Sequence, residues 1–288
     1  MKLSNNKIIE IIRLRNNGWS TNHIRKKFKV SERRVNQILQ YYYEHDEAPR
    51  LSNRQGRPKR PIMSEEEEMV KEAYATYRFS ASLLRPIIKR DYDKDISHHR
   101  IHKILVKNKL AVPLNKEVIR KKKIRRYERR HSLSLLHIDW HQRPNDGDYV
   151  FAVEDDASRA LLSLIECDSP TVERSINGMD EALLNGSVKQ VLSDNGSQFT
   201  CNHPGHRESS VFENYCVSMG LKHIRTKPKH PQSNGKVEKW FDTYERHRDA
   251  FSTKEEFLHW YNHIRPHTAL KWSELETPWQ AFERKFKK

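Results

Sequence analysis

Residues 133–167, LSLLHIDWHQRPNDGDYVFAVEDDASRALLSLIEC, carry three apolar stretches in succession. LSLLHIDW reads as one strand, and DYVFAVEDDASRALLSLIEC as two more joined at the polar Glu154-Asp155-Asp156 stretch. Downstream the pattern changes to alternation. TVERSINGMDEALL reads as a helix, VKQVLS as a strand, SSVFENYCVSMG as a helix and LKHIRT as a strand, after which HPQSNGKVEKWFDTYERHRDAF leads into another helix. Three consecutive strands followed by helix and strand in turn predict a mixed five-stranded sheet with helices packed on it, not a purely doubly wound sheet.

The composition says what such a chain meets. Of 288 residues, 54 are Lys or Arg and 38 are Asp or Glu, giving a net charge of +16 that attracts polyanions, nucleic acid first among them. Hydrophobic residues make up 35% and charged ones 32%, which suits modest cores with exposed helices and linkers. Two or three folded units are expected, since domains run to roughly 100 to 200 residues. No long apolar run occurs, and MKLSNNKIIEIIRLR lacks a signal-peptide core, so neither membrane insertion nor secretion is expected. Cys167, Cys201 and Cys216 suit a reducing cytoplasm better than a disulfide scaffold.

Residues 1–48 read as three helices. Ile8, Ile11 and Ile12 fall at helical spacing, Gly18 breaks the run, and Ser20 and Ser31 can cap two further helices. The third, SERRVNQILQYYY, has Val35, Ile38 and Leu39 on one side, leaving Arg33, Arg34, Asn36 and Gln37 able to reach bases or phosphates. The layout resembles the helix-turn-helix domains that open many transposases and homeodomain-like proteins, which implies a major-groove role for this helix. Residues 49–62 form a Pro- and Gly-broken basic linker with Arg54, Arg57, Lys59 and Arg60. Its centre, Gly56-Arg57-Pro58, resembles an AT-hook and equally fits a solvated hinge.

Residues 63–115 suggest a second helical DNA-binding domain. Its helices are SEEEEMVKEAYATY, a stretch kinked or started at Pro86, and ISHHRIHKILVKNKL capped by Ser97. His98, His99 and His102 point in different directions on a helix and suit a surface or DNA-facing role better than metal. Residues 116–131 make a basic connector, and 132–288 a catalytic domain with C-terminal helices.

Within that last segment three acids stand out: Asp139 on the first strand, Asp194 just past the fourth, and Glu238 in the first turns of the helix after the fifth. The strand order matches the plan of the ribonuclease H-like fold, in which the first and fourth strands are neighbours and the three acids converge. Such a cluster repels itself unless divalent cations compensate it, and an all-oxygen site suits Mg²⁺ or Mn²⁺ better than zinc. Asp139 in HIDWH, Asp194 in SDNGSQF, Glu238 in HPQSNGKVEKW and the later WYNHIRPHTAL resemble, in that order, the DDE insertion-sequence transposases related to retroviral integrases. The resemblance covers residues 131–285. It implies that Asp139, Asp194 and Glu238 form the catalytic and metal-binding triad with two ions. It further implies that Asn195, Gly196, Pro231, Gln232, Asn234 and Gly235 shape the site, and that the protein works on double-stranded DNA as a dimer or higher oligomer in the cytoplasm, associated with the nucleoid of a prokaryotic cell.

The sequence departs from that family in two places. Asp194 and Glu238 are separated by 43 intervening residues, more than in retroviral integrases, and the excess around CNHPGHRESS should form a surface loop. The spacing of Cys201, His203, His206 and Cys216 matches no common zinc module, and Cys216 should face the core. Relatives often carry a base seven residues after the catalytic Glu, where this chain has Glu245; Arg246 and Arg248 lie nearby and Lys236 and Lys239 flank the acid, which leaves open which base grips terminal DNA. Trp240, Phe241 and Tyr244 follow core spacing from Val237, and Trp140 should be buried on the face opposite Asp139. Trp260, Tyr261, Trp272 and Trp279 should hold the tail to the core. Two other functions remain open: a transposase-derived DNA-binding regulator without catalysis, and a ribonuclease H-like nuclease.

Overall fold

The computed structural model describes residues 3–51, 60–113, 129–200, 210–226 and 235–286. The chain divides into two compact units, Met1–Pro61 and Ile62–Lys288.

The first unit holds α1 (Asn5–Asn16), α2 (Thr21–Phe28) and α3 (Glu32–His45). Ser20 Oγ accepts from the His23 backbone N–H and Ser31 Oγ from that of Arg34, satisfying donors that a helix start leaves open. Ile8, Ile11, Ile12, Ile24, Phe28, Val35, Ile38 and Leu39 close into one core, the expected apolar faces of the three helices.

The second unit begins with α4 (Ser64–Tyr77), α5 (Ala81–Tyr92) and α6 (His98–Lys107). Helix α5 starts five residues before Pro86 and carries that proline inside it. The acidic start of α4 does more than answer the helix dipole. Glu66 pairs with Arg100 and Glu67 with Lys107, at 2.6 Å for the latter, so two carboxylates tie α4 to α6. Leu275 is part of the α4–α6 core, and Trp272 packs against it edge-to-face on Phe79. The Trp260 indole donates to the Thr76 carbonyl at 2.7 Å, and the Arg265 guanidinium lies 4.4 Å from the Phe79 ring centroid. Trp272 thus departs from expectation: it covers the helical cluster, whose apolar face would otherwise be wet, and not the sheet.

The sheet follows, with β1 (Leu136–Gln142), β2 (Tyr149–Asp155), β3 (Leu161–Cys167), β4 (Gln190–Ser193) and β5 (Lys222–Arg225) in the spatial order β3-β2-β1-β4-β5. Strand β2 is antiparallel to β1 and β3, whereas β4 is parallel to β1 and β5 to β4. The mixed five-stranded sheet is the expected one. Its first strand starts later than the apolar run, because the Leu133 N–H turns away to donate to Asp155 Oδ1 at 2.9 Å. On one face, Leu136, Ile138, Phe151 and Val153 pack with α7 (Val172–Leu183) and α8 (Val211–Ser218), and Cys216 is buried there as expected. Gly178 lets α7 lie close, since a Cβ there would fall 2.7 Å from the Phe151 ring. On the other face, Val150 and Ala152 meet Val237, Trp240, Phe241 and Tyr244 of α9 (Gly235–His247), joined by Phe257, Trp260 and Tyr261 around α10 (Lys254–His259). Helix α11 (Pro278–Lys285) returns Phe282 to the first face. No helix of the described residues is long and apolar enough to cross a membrane.

Candidate active site

Alternation along β1 sends Leu136, Ile138 and Trp140 to the α7 face and His137, Asp139 and His141 to the α9 face. Trp140 stacks against Phe151 and donates its indole N–H to Ser175 Oγ at 2.9 Å; it is half-buried, on the side away from Asp139. Asp139 pairs across the ladder with Ala152, which lies in the core under α9. Its Oδ1 accepts from the Trp140 N–H at 2.9 Å, and the carboxylate is half-buried.

Asp194 follows β4 directly. The parallel register sets Leu136 beside Val191 and His137 beside Leu192, and continued by two residues it brings Asp139 level with Asp194. Its own turn holds Asp194 there. Asp194 Oδ1 accepts from the Gly196 N–H at 2.9 Å, Asn195 donates its side-chain amide to the Thr226 carbonyl at 2.9 Å, and buried Phe199 anchors the far end.

Glu238 is exposed on α9, between a contact with Asp156, just past β2, and contacts with His141 of β1. Before it, Lys236 Nζ reaches Asp156 Oδ1 at 2.7 Å, the same oxygen to which His137 Nε2 donates at 2.7 Å. After it, Phe241 stacks on His141 at 4.8 Å, and Glu245 accepts from His141 Nε2 at 3.1 Å. The helix therefore runs along β1 in the strand's own direction, with Glu238 between these contacts. Burial raises the Glu238 pKa above the ordinary carboxylate value.

Asp139, Asp194 and Glu238 thus lie on β1, just past its neighbour β4, and on α9, the helix that packs against β1. They are not drawn tight: among the described residues no group of three His, Cys, Asp or Glu side chains could hold a metal ion. Their donor chemistry, oxygen only, is the kind that suits Mg²⁺ or Mn²⁺.

Other expected residues fall as follows. Lys236, expected to grip DNA, is largely buried and ion-paired with Asp156, so its charge is turned inward. Lys239 pairs with Asp242 on the exposed side of α9. Arg33, Asn36 and Gln37 are exposed on α3, and half-buried Arg34 donates to Gln37 Oε1 at 3.2 Å. Arg60 is exposed. Arg54, Arg57, Lys59, Cys201, His203, His206, Pro231, Gln232 and Asn234 lie outside the described residues.

The sequence reading missed the charged layer beneath the acids. Asp156 is fully buried; the His137 and Lys236 hydrogen bonds hold its carboxyl far below the usual range against the opposing effect of burial. Glu154, at 2% exposure, is pushed up by burial to about 7, and its Oε2 has no hydrogen-bond partner among the described residues. The only signal was a run of acids at a strand end, a pattern shared with many surface turns.

A central strand flanked by one antiparallel and one parallel neighbour, with helices on both faces, is the mixed-sheet arrangement the sequence led us to expect. No family model matches the chain. Over 150 residues it is 25% identical to a protein named as an integrase, ORF3 of Spiroplasma virus SpV1-C74, a stretch of 45% of this chain and 40% of that protein. Over 94 residues it is 33% identical to the retrovirus-related Pol polyprotein from transposon TNT 1-94 of Nicotiana tabacum, covering 32% of this chain and 6% of the polyprotein. The chain spans less than half the length of these relatives. Among solved structures it is similar to a chain of the simian T-cell lymphotropic virus intasome in complex with PP2A regulatory subunit B56 gamma, at 16% identity and TM-score 0.43, over 74% of each chain. It is also similar to the catalytic core domain of BIV integrase, at 19% identity and TM-score 0.40, over 53% of this chain and 95% of that one. Part of the chain is thus similar in sequence to a protein named as an integrase and to a retrovirus-related Pol polyprotein.

Proposed function

We propose that the protein is a DNA transposase of the DDE kind, which cleaves a strand at the end of a mobile element and joins the freed 3′-OH to target DNA. The observation that supports this reading is the β1–β4 register, in which Leu136 pairs with Val191 and His137 with Leu192, two residues before Asp139 and Asp194 on strands that α9 covers. Integrase-named relatives and a net charge of +16 support it. Asp139, Asp194 and Glu238 hold two Mg²⁺ or Mn²⁺ ions. When bound, such ions activate an attacking oxygen and stabilise the leaving one in an in-line displacement at phosphorus. The chain itself orients these three carboxylates. Hydrolysis and joining share the site, because both are attacks of an oxygen on a phosphodiester. Helices α1–α3 act as a helix-turn-helix unit, with Arg33, Asn36 and Gln37 of α3 facing the major groove of the element end, and assembly on DNA brings two ends together. The chain acts in the cytoplasm, where the DNA of a prokaryotic cell lies.

The test uses end-labelled duplexes made from the DNA that flanks the gene on either side, with unrelated duplex as the control. Full-length protein with Mg²⁺ should give a nicked 3′-OH end and longer joined products, and chelation should abolish both. Asp139→Asn, Asp194→Asn and Glu238→Gln should each remove cleavage and joining while leaving DNA affinity within a few-fold, since an amide keeps the shape and loses the charge. A variant that still cleaves at near the normal rate would take its residue out of the site.

A further inference from the structure

The charged layer under the acids links the two elements that carry Asp139 and Glu238. Asp156 sits at the end of β2, fully buried, and its carboxylate is shared three ways. Oδ1 accepts from His137 Nε2 at 2.7 Å and from Lys236 Nζ at 2.7 Å, while Oδ2 accepts from the Arg129 N–H at 2.7 Å. Lys236 Nζ also approaches the Asp156 carbonyl at 3.3 Å. His137 lies two residues before Asp139 on the same face of β1, and Lys236 lies two residues before Glu238 in the first turn of α9. One carboxylate therefore ties the strand of the first acid to the helix turn of the third, at a distance from solvent where ionic contacts are little screened.

We propose that His137, Asp156 and Lys236 form a positioning brace that sets Glu238 against Asp139 for cation binding. The inference rests on the proposed function only in taking those two acids as ligands. The brace touches neither DNA nor the ions; it acts through the acids it spaces, as partners behind metal ligands do, and losing such a partner typically costs about 10- to 100-fold in metal affinity or activity. The same geometry explains why Lys236 is turned inward although the net charge of the chain favours lysines aimed at DNA.

The experiment is a Mn²⁺ titration of full-length wild type, Lys236→Met, Lys236→Arg and Asp156→Asn, followed by the EPR signal of free Mn²⁺, with joining rate and DNA affinity measured alongside. The expected result for Lys236→Met is a Mn²⁺ affinity about 10- to 100-fold weaker, a joining rate that recovers at high Mn²⁺, and unchanged DNA affinity and salt dependence; Lys236→Arg, which keeps the charge, should restore most of the loss. Asp156→Asn keeps the side-chain shape and carries the same expectation, so it decides the matter if Lys236→Met does not fold. Unchanged Mn²⁺ affinity in a folded variant, or a loss confined to DNA affinity with a shallower salt slope, would overturn the brace and return Lys236 to the DNA surface. A wild type that binds Mn²⁺ through Asp139 and Glu238 yet joins no DNA would sink the proposed function and leave the brace standing.

Discussion

Gly196 shows how closely the backbone is fitted to one carboxylate. A Cβ there would stand 3.0 Å from Asp194 Oδ1 and 2.9 Å from Gln198 Oε1, so the turn that holds Asp194 leaves no space for a side chain at position 196. That much was legible, because an acid before Asn-Gly at a strand end is a local pattern. The partners of Lys236 and His141 were not: Asp156 lies 80 residues from the lysine and Glu245 lies 104 from the histidine, and only the folded sheet brings them together. Glu154 is the residue whose cost can be read most simply. Its folded pKa of about 7 lies above the ordinary 4.5, so between those values the folded state holds a proton that the unfolded chain gives up. Its contribution is therefore most favourable below about pH 4.5, declines as the pH rises, and is fully lost above about 7. Glu154→Gln, which cannot ionise, should flatten the fall in Tm between pH 5 and 8 by scanning calorimetry. A variant that keeps the wild-type slope would place that pH dependence elsewhere.

At the scale of elements, the helix starts were easiest to foresee, because Ser20 and Ser31 bond their own next turns and the signal is local. Helix α5 was harder. Pro86 suggested a break or a start, yet Leu84, Ile87 and Ile88 are fully buried, and their burial outweighs the backbone hydrogen bond that the proline forgoes. The seam between α4–α6 and the C-terminal segment was not legible at all, since Trp260 carries no mark of which face it serves. Its indole hydrogen bond to the Thr76 carbonyl offers a clean test of that seam. Trp260→Phe leaves the carbonyl without its partner and should lower unfolding stability by about 1–3 kcal/mol. Urea denaturation should show this as a lower midpoint at unchanged slope. A loss below a few tenths of a kcal/mol would mean the seam is held by Phe79, Trp272 and Arg265 alone.

For the molecule as a whole, the first unit has its own core of eight apolar residues, so its removal can be tested directly. A chain of residues 62–288 should still join DNA in Mg²⁺ but should no longer prefer the element ends over unrelated duplex in a competition assay; retained preference would place end recognition in the second unit. The five strands and their mixed pairing were readable from the succession of apolar stretches, whereas the Asp156 layer was not, because it is built from contacts between distant segments. The central claim is that Asp139, Asp194 and Glu238 together bind two cations. Anomalous diffraction from crystals of the full chain with DNA and Mn²⁺ tests it most directly. The account predicts two peaks about 3.5 to 4 Å apart, with carboxylate oxygens of Asp139, Asp194 and Glu238 bonded to them. Mn²⁺ bound elsewhere, or a peak pair that omits any of the three carboxylates, would contradict it.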